Sequence, residues 1–291
     1  MAASERCLLN LMKLQTYQSR WACPGSVAAA QARGFDGIEA QAPADSAERR
    51  EWHKSIVDAG LDYIAEICTM GNYIPPPHAS PQAHLDSFRM QVEAALECSP
   101  RFITTLAGSD AWELGEAVDF LGRLLAVGRE LGVLVSVETH RSRCTFSPWA
   151  TRLLLQQLPE LRLTCDFSHW CCVCERLVLD EEPELLALCA SRAHHIHARV
   201  GYDQGPQVPH PAAPEYAGVL IAHERWWRAI WHAQQAAGFT LTTMTPEFGP
   251  DGYLHTTPFT ARPVADLIEI NVWMARRQRR HFDDHFVPQA A

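Results

Sequence analysis

Four predicted strands of this chain end in residues that could bind a metal ion or transfer a proton. The segments are VETH (137–140), DFSHW (166–170), HIHARV (195–200) and PEFG (246–249). One carboxylate or imidazole recurs at the corresponding position of each segment, namely Glu138, Asp166, His197 and Glu247. Taken singly, such residues are more often solvent-facing carboxylates, helix caps or hydrogen-bonded core histidines. Their recurrence on four consecutive strands predicts one common site, because inward-facing strand positions normally carry aliphatic residues.

The four residues together offer three oxygen ligands and one nitrogen ligand. Such a set suits Mn²⁺, Mg²⁺, Co²⁺ or Zn²⁺, with coordination positions left open for a substrate. Without a cation, three buried carboxylates would repel one another and take up protons. We therefore predict a divalent metal cofactor, whose identity the sequence leaves open.

The rest of the chain alternates between short apolar runs and longer amphipathic stretches. Strands are predicted at 7–17, 35–41, 62–69, 101–108, 133–140, 161–170, 193–200 and 240–249. A helical pattern follows each strand, and the eighth of these patterns spans 261–280. Eight alternating units predict an α/β fold, and the count favours a closed (β/α)₈ TIM barrel over an open doubly wound sheet. No G-x-G-x-x-G motif follows the first strand, which further disfavours the open sheet.

Residues 1–291 are predicted to form a single barrel domain with one unusually long loop. This loop, 201–222, separates the seventh strand from its helix and is much longer than most such connections. Loops that follow barrel strands lie over the active-site face, so it is a candidate lid. A role as a contact between protomers is equally compatible with its length.

Composition and charge disfavour several other classes of protein. The net charge is −9 and the only basic cluster lies within 276–280, so nucleic-acid binding is not expected. No stretch approaches the roughly 18 apolar residues that cross a bilayer, and early charged residues argue against a secretory signal. The cysteines lack zinc-site spacing and suit a reducing compartment, so we expect a cytoplasmic protein with free thiols.

The chain resembles the xylose-isomerase-like TIM-barrel family over almost its whole length. This family includes ketose epimerases, hydroxypyruvate isomerase, inosose dehydratase and, more distantly, apurinic endonucleases. The resemblance is carried by GFDGIEA (34–40), VETH (137–140), DFSHW (166–170), HIHARVG (195–201) and PEFGP (246–250). It implies that Glu138, Asp166, His197 and Glu247 hold one divalent metal. It further implies that the two glutamates exchange the substrate proton, that His169 contacts the substrate or supports the ligands, and that the protein is a homo-oligomer.

Two departures from the family pattern bear on the substrate. The epimerases place a substrate-binding arginine six residues after the metal histidine, where this chain has Asp203. Arg199 is the nearest replacement and is therefore a candidate substrate contact. The endonuclease relatives need further histidine ligands on early strands, whereas strands two and three here offer Glu39 and Glu66. This difference, with the acidic charge, argues against DNA repair.

The constellation predicts proton transfer next to a carbonyl group. A divalent ion would polarise the carbonyl of a small sugar or keto-polyol and stabilise an enediolate. One glutamate would remove the α proton and the other would return it, which gives isomerisation or epimerisation. Loss of a β-hydroxyl from the same intermediate would make the protein a dehydratase. A catalytically idle barrel that binds a metal or a carbohydrate is the alternative from another class.

Several further residues are assigned by position alone. Glu39 and His140 are candidate substrate contacts, whereas His195 is expected to be a hydrogen-bonded core residue one step deeper than His197. Aromatic side chains that could wall a sugar pocket are Trp21, Trp112 and Trp170. Three tryptophans of the seventh helix, Trp226, Trp227 and Trp231, are expected to be packing residues.

Overall fold

Eight parallel strands close into a barrel in the computed structural model, which describes residues 12–250 and 252–286. The strands are β1 Lys13–Ser19, β2 Gly37–Ala40, β3 Asp62–Cys68, β4 Ile103–Leu106, β5 Val135–Glu138, β6 Arg162–Cys165, β7 Ala193–His197 and β8 Leu241–Thr245. Each strand pairs with the next one in the sequence, and β8 pairs with β1 to close the ring. The predicted (β/α)₈ TIM barrel is confirmed.

Helices connect the strands and surround the barrel. They are α1 Val27–Ala32, α2 Ser46–Asp58, α3 Pro81–Leu96, α4 Leu114–Glu130, α5 Pro148–Gln157, α6 Ser168–Cys174, α7 Val178–Glu181, α8 Pro183–Arg192, α9 Ala217–Ala236 and α10 Leu267–Phe286. Several begin where the sequence supplies a side-chain cap. Asp45 accepts hydrogen bonds from the second and third backbone N–H groups of α2, and Ser80 and Ser147 cap α3 and α5 just before a proline.

The main core lies between the barrel and the helices, while the barrel interior below the site is partly polar. Thr164 exchanges hydrogen bonds of 2.8 Å with Thr104 and Ser136 across the interior. Trp226, Trp227 and Trp231 of α9 are buried in the outer core, as expected. His195 is fully buried and contacts Thr243 and Thr245, which agrees with its expected core position.

Most strands are shorter than predicted, including the eighth, which ends at Thr245, and in two places a different element replaces part of the predicted one. The predicted strand 161–170 ends at Cys165, because helix α6 begins at Ser168 and carries His169. The predicted helix 261–280 begins only at Leu267, because residues 256–257 and 262–263 pair as strands β9 and β10 of an exposed hairpin. The first five residues of the predicted strand 7–17 lie outside the described part of the chain.

The long loop after β7 is shorter than predicted and packs against the barrel mouth. Helix α9 begins at Ala217, so residues 217–222 of the predicted loop are helical, with Leu220 and Ala222 buried on the inner face. Within the loop, the buried Gln207 side chain donates to the carbonyl of Gly249 and accepts from its N–H. The loop therefore braces the segment that carries Glu247.

Two further expectations concern cysteines and membrane segments. All nine cysteines in the described part of the chain are free, and eight of them are buried. Among the residues that the structure describes, no helix combines the length and apolar character that a membrane span requires.

Candidate active site

The four predicted ligands lie together at the carboxyl ends of four adjacent strands. Glu138 and His197 are the last residues of β5 and β7, Asp166 directly follows β6, and Glu247 lies two residues beyond β8. One ligand atom from each of the four residues lies within 4.8 Å of every other. His197 Nδ1 is 2.9 Å from an oxygen of Glu247 and 3.7 Å from an oxygen of Glu138. We call these four residues the metal quartet.

The polar atoms of the metal quartet fit a bound cation. All four residues are buried, and Glu138 Oε2 has no hydrogen-bond partner among the described residues. Glu247 Oε2 and His197 Nδ1 lie 2.9 Å apart but do not have the geometry of a hydrogen bond, and no other described group hydrogen-bonds to either atom. Buried polar atoms are normally satisfied, because an unpaired one loses its hydration without compensation. Three unpaired atoms that face one another, two of them carboxylate oxygens, are the donor set that a divalent ion would complete.

The pKa values of the metal quartet also indicate that its carboxylates lack neutralising positive charge. Burial raises the pKa of Glu138 to about 7, against the opposing effect of His197. Burial likewise raises the pKa of Asp166, although Arg199 opposes it. Burial alone would lower the pKa of His197, but Glu247, Glu39 and Glu138 together raise it well above its usual value. A proton on the imidazole thus partly compensates carboxylates that a divalent ion would neutralise.

Glu39 lies beneath the metal quartet and orients His197. Its two oxygens contact His197 Nε2 at 2.7 Å and His195 Nε2 at 3.2 Å. A carboxylate on the far nitrogen fixes the tautomer and orientation of a metal-binding imidazole. The prediction that Glu39 contacts the substrate is therefore corrected, since both of its oxygens are engaged by histidines and it does not line the site cavity.

Arg199 is committed mainly to Asp166. Its guanidinium pairs with Asp166 and donates to Ser168 Oγ at 3.1 Å and to His169 Nε2 at 2.8 Å. Ser168 donates to the other oxygen of Asp166. Arg199 faces the cavity as predicted, but most of its donors are occupied by protein groups. Arg199 therefore positions Asp166 and His169. The predicted contact between Arg199 and the substrate would have to use the few donors that remain.

His140 and His169 pack against each other beside Glu138, with their ring planes inclined by 55°. Their ring centroids are 4.0 Å apart, and His169 Nε2 lies 3.5 Å from Asp166 and 3.9 Å from Glu138. Burial lowers the pKa of both histidines, so both are neutral at physiological pH. His140 lines the cavity, whereas His169 lies behind it.

A cavity of about 260 Å³ opens above the metal quartet. This volume lies below the roughly 300–1,000 Å³ typical of drug-sized ligands and suits a small substrate. Side chains at its entrance include Trp21 and Tyr253, whose rings meet edge to face at 5.5 Å. Of the tryptophans proposed as pocket walls, Trp112 packs against Phe120 and Trp170 is buried against Phe167.

Gly249 allows Trp21 to take its place at the entrance. A Cβ atom built on Gly249 would lie 1.9 Å from the Trp21 ring, well inside van der Waals contact. The motif PEFGP therefore needs glycine at this position for packing against an aromatic wall.

The loop after β3 forms another wall and is held from within by Arg143. This guanidinium is fully buried and donates to the carbonyls of Thr69, Asn72, Tyr73 and Gly108 and to the Thr69 hydroxyl. No carboxylate pairs with it in the described ranges. Met70 and Gly71 are consecutive left-handed residues in this loop, with φ of 67° and 77°.

Several residues that line the cavity were not predicted as site residues, among them Tyr253, Tyr73 and Glu66. Tyr253 lies in a loop and carries no strand-end signal, although its ring stacks under Arg199 at 4.5 Å. Tyr73 belongs to the Arg143-held loop. Glu66 of β3 was predicted only as a strand-end acid, and its alternation with buried Ala65 and Ile67 was the available signal.

Residues 27–206 match the family described as xylose isomerase-like TIM barrel. This match covers more than half of the chain, so the chain belongs to that family. No curated protein matches the chain by sequence.

Solved structures with the same fold include enzymes with different reactions. An L-ribulose 3-epimerase is 12% identical, with a TM-score of 0.59 and coverage of 96% of this chain and 99% of the other. The probable 3-DHS dehydratase AsbF of Bacillus anthracis is 14% identical, with a TM-score of 0.56 and coverage of 90% and 98%. A xylose isomerase-like barrel protein of Mycobacterium smegmatis in complex with magnesium is 13% identical, with a TM-score of 0.59 and coverage of 90% and 89%. At these identities the likeness establishes the fold alone.

Proposed function

We propose that this protein is a divalent-metal-dependent isomerase or epimerase that acts on a small sugar or keto-polyol. The single observation that carries the proposal is the metal quartet, with its unpaired atoms directed at one another below a small cavity. Family membership supports it, as do fold relatives named as epimerases. The relative bound to magnesium supports the choice of a hard divalent ion.

The residues divide into those that hold the cation and those that move the proton. Glu138, Asp166, His197 and Glu247 would hold the ion, which supplies Lewis-acid polarisation of a substrate carbonyl when bound. Glu138 and Glu247 both line the cavity, so either can reach a carbon-bound proton of the substrate. One glutamate removes the proton α to the carbonyl, and the other returns it to the opposite face or the neighbouring carbon. Asp166 does not line the cavity, and we assign it no proton transfer.

Solvent-deuterium exchange tests this division and does not require the product to be identified. Wild-type protein with Mn²⁺ or Mg²⁺ and a ketose such as L-ribulose or D-tagatose should incorporate deuterium from D₂O at the carbon α to the carbonyl. Glu138→Gln and Glu247→Gln should each lose roughly 10²–10⁴-fold of the exchange rate at saturating metal. Asp166→Asn should recover much of its rate as the metal concentration is raised. Exchange at the wild-type rate in both glutamine variants, with metal bound, would rule out the two-glutamate mechanism.

A dehydratase is the second candidate, because the same proton removal precedes loss of a β-hydroxyl. A fold relative named as a dehydratase supports this alternative. Product analysis of the same reactions by NMR separates the two, since dehydration forms a new carbon–carbon double bond and epimerisation does not.

A further inference from the structure

Glu66 occupies a distinctive place in the cavity wall. It lies on β3, four strands away from β7 in the ring of eight, so it faces the metal quartet from the opposite side of the barrel mouth. Its side chain lines the site cavity and two adjoining cavities of about 280 and 410 Å³. Glu66 therefore lies where any substrate held by the metal quartet would extend.

The carboxyl group of Glu66 is nearly without protein partners. Its only polar contact among the described residues is the weak thiol donor of Cys68, at 3.7 Å, and no lysine, arginine or histidine pairs with it there. Polar groups in a binding cavity that the protein leaves unsatisfied are commonly satisfied by the ligand. The Glu66 oxygens are thus available to a substrate hydroxyl.

The lining of the site cavity offers no free cationic side chain to an anionic substrate. Three carboxyl groups line it, those of Glu66, Glu138 and Glu247, and the only cationic lining residue is Arg199. That guanidinium is already paired with Asp166 inside the protein. At a distance from the ion that the metal quartet would hold, a phosphate or carboxylate on the substrate would lose its hydration without gaining a free cationic side chain.

Two other arginines lie near the mouth but outside the lining of the site cavity. Arg20 lines the outermost adjoining cavity, is exposed to solvent, and stands 5.6 Å above the ring of Trp52. Arg141 stands 5.2 Å from the ring of Tyr253. Neither guanidinium lines the space between Glu66 and the metal quartet.

From this arrangement we infer that the site takes an uncharged polyhydroxylated carbonyl compound, and that Glu66 binds one of its hydroxyl groups opposite the metal. The inference rests on the proposed function for the location of the reacting carbonyl. It predicts that the site binds free sugars and polyols in preference to sugar phosphates and sugar acids. Glu66 is then a specificity-determining residue of the site.

The protonation of Glu66 agrees with this assignment. Burial raises its pKa to about 8, with further contributions from Glu247, Glu39 and Glu138. In the neutral form it donates to one substrate oxygen and accepts from a hydroxyl, and in the ionised form it accepts only. Neither form offers a positive charge to an anionic substrate.

Matched pairs of neutral and phosphorylated ketoses test the inference. The probes are L-ribulose and D-tagatose and their terminal phosphates, each titrated calorimetrically into the Mg²⁺-loaded protein and assayed for deuterium exchange. At least one neutral ketose should bind about tenfold or more tightly than its phosphate. Glu66→Leu should weaken that binding by about tenfold or more, because a hydrogen bond to substrate is lost. Mg²⁺ affinity should remain within about twofold of wild type.

Conservative and charge-reversing variants complete the test. Glu66→Gln keeps both a donor and an acceptor and should restore binding of the neutral ketose to within about threefold. Glu66→Lys should shift the preference toward the phosphate. Glu160→Gln, at an exposed carboxylate outside the cavity, should leave the affinities for the neutral ketose and for its phosphate unchanged. Melting temperatures of all variants separate a binding defect from a folding defect.

The outcomes for the two proposals differ. Tighter binding of the phosphates by wild type, no neutral ketose bound, or unchanged binding in folded Glu66→Leu would overturn the inference. Deuterium exchange into a ketose phosphate would also overturn the inference, but it would leave the isomerase or epimerase proposal intact. Glu66-dependent binding of a neutral ketose with no exchange at all would instead contradict the catalytic proposal and support the inference.

Discussion

The carboxylate of Glu39 lies 2.7 Å from His197 Nε2 and thereby directs the opposite ring nitrogen, Nδ1, into the metal quartet. The two residues come from β2 and β7 and are 158 positions apart in the chain. Burial raises the pKa of Glu39, but the two histidines lower it more strongly, so this pKa stays well below its usual value. An ionised carboxylate is thus held beneath His197.

Removal of the Glu39 carboxylate should weaken metal binding without touching a ligand. Glu39→Ala is expected to lower the affinity for Mn²⁺ or Mg²⁺ roughly 10–100-fold, because His197 loses the partner that fixes its tautomer and orientation. Competition titration against a chelator measures the change. Glu160→Ala, at an exposed carboxylate, is the matched control and should retain wild-type affinity. Unchanged affinity in folded Glu39→Ala would contradict the orienting role.

Metal binding should stabilise the folded protein. A ligand that binds only the native state at 100 times its dissociation constant contributes about 2.7 kcal/mol, so saturating Mn²⁺ or Mg²⁺ should raise the melting temperature by several degrees. A chelator should reverse the shift. His197→Ala should abolish it, whereas Asp180→Asn on the outer surface should leave it intact. A metal-independent melting temperature in wild type would show that the metal quartet holds no cation.

The contribution of Glu66 to the stability of the chelator-treated protein should fall as the pH rises from about 4.5 to about 8. The pKa of Glu66 is raised from 4.5 to about 8, chiefly by burial, so in this window the folded state holds a proton that the unfolded state has lost. Linkage then makes unfolding easier at higher pH. Glu66→Gln removes this titration and should stabilise the chelator-treated protein at pH 8 by about 1 kcal/mol or more relative to wild type.

Urea denaturation at pH 5 and pH 8 measures this difference. At pH 5 the difference in stability between wild type and Glu66→Gln should be much smaller than at pH 8, because the linkage effect grows only as the pH rises above about 4.5. The neighbouring charges of Glu247, Glu39, Glu138 and His197 remain in both proteins and cancel in the comparison. An equal gain at both pH values would show that Glu66 does not titrate in this window.

Substitution of Gly249 should disturb the aromatic entrance. Gly249→Ala places a methyl group where the Trp21 ring lies and should destabilise the protein by about 1–3 kcal/mol. Gly115→Ala is the control, because that helical glycine has open space around its Cβ position and should gain up to about 1 kcal/mol. Trp21→Ala combined with Gly249→Ala should recover part of the loss, as a double-mutant cycle measured by urea denaturation would reveal. Full additivity of the two losses would contradict the close contact.

Strand-end chemistry made the clustering of Glu138, Asp166, His197 and Glu247 predictable from the sequence, whereas their role as metal ligands stays a prediction. Each of these residues recurs at the end of an apolar run, and barrel closure alone then brings the four ends together. The partners of Glu39 and Arg199 were not predictable, because periodicity assigns a residue to a strand and a face but does not identify the side chain across the barrel. The same limit hid Tyr253, whose position depends on a loop path.

The boundary errors have equally local causes. Residues 166–170 were predicted to extend β6, yet the chain turns into α6, where Ser168 donates hydrogen bonds to the Asp166 carboxylate. Near the C-terminus, the pairing of 256–257 with 262–263 delays α10 until Leu267. The turn at 166–168 and the pairing of two-residue strands are both too short to produce a recognisable hydrophobic periodicity in the sequence.

The way Arg143 holds the loop after β3 has a consequence for how this member of the family could change what it binds. Most of the contacts of its guanidinium go to main-chain carbonyls, which every amino acid possesses. The side chains of Asn72 and Tyr73 are therefore free to vary while the backbone beneath them keeps its path. Arg143 fixes the backbone of this wall independently of the side chains that face the cavity. Single substitutions at Asn72 or Tyr73 can therefore change the substrate specificity while the loop keeps its conformation.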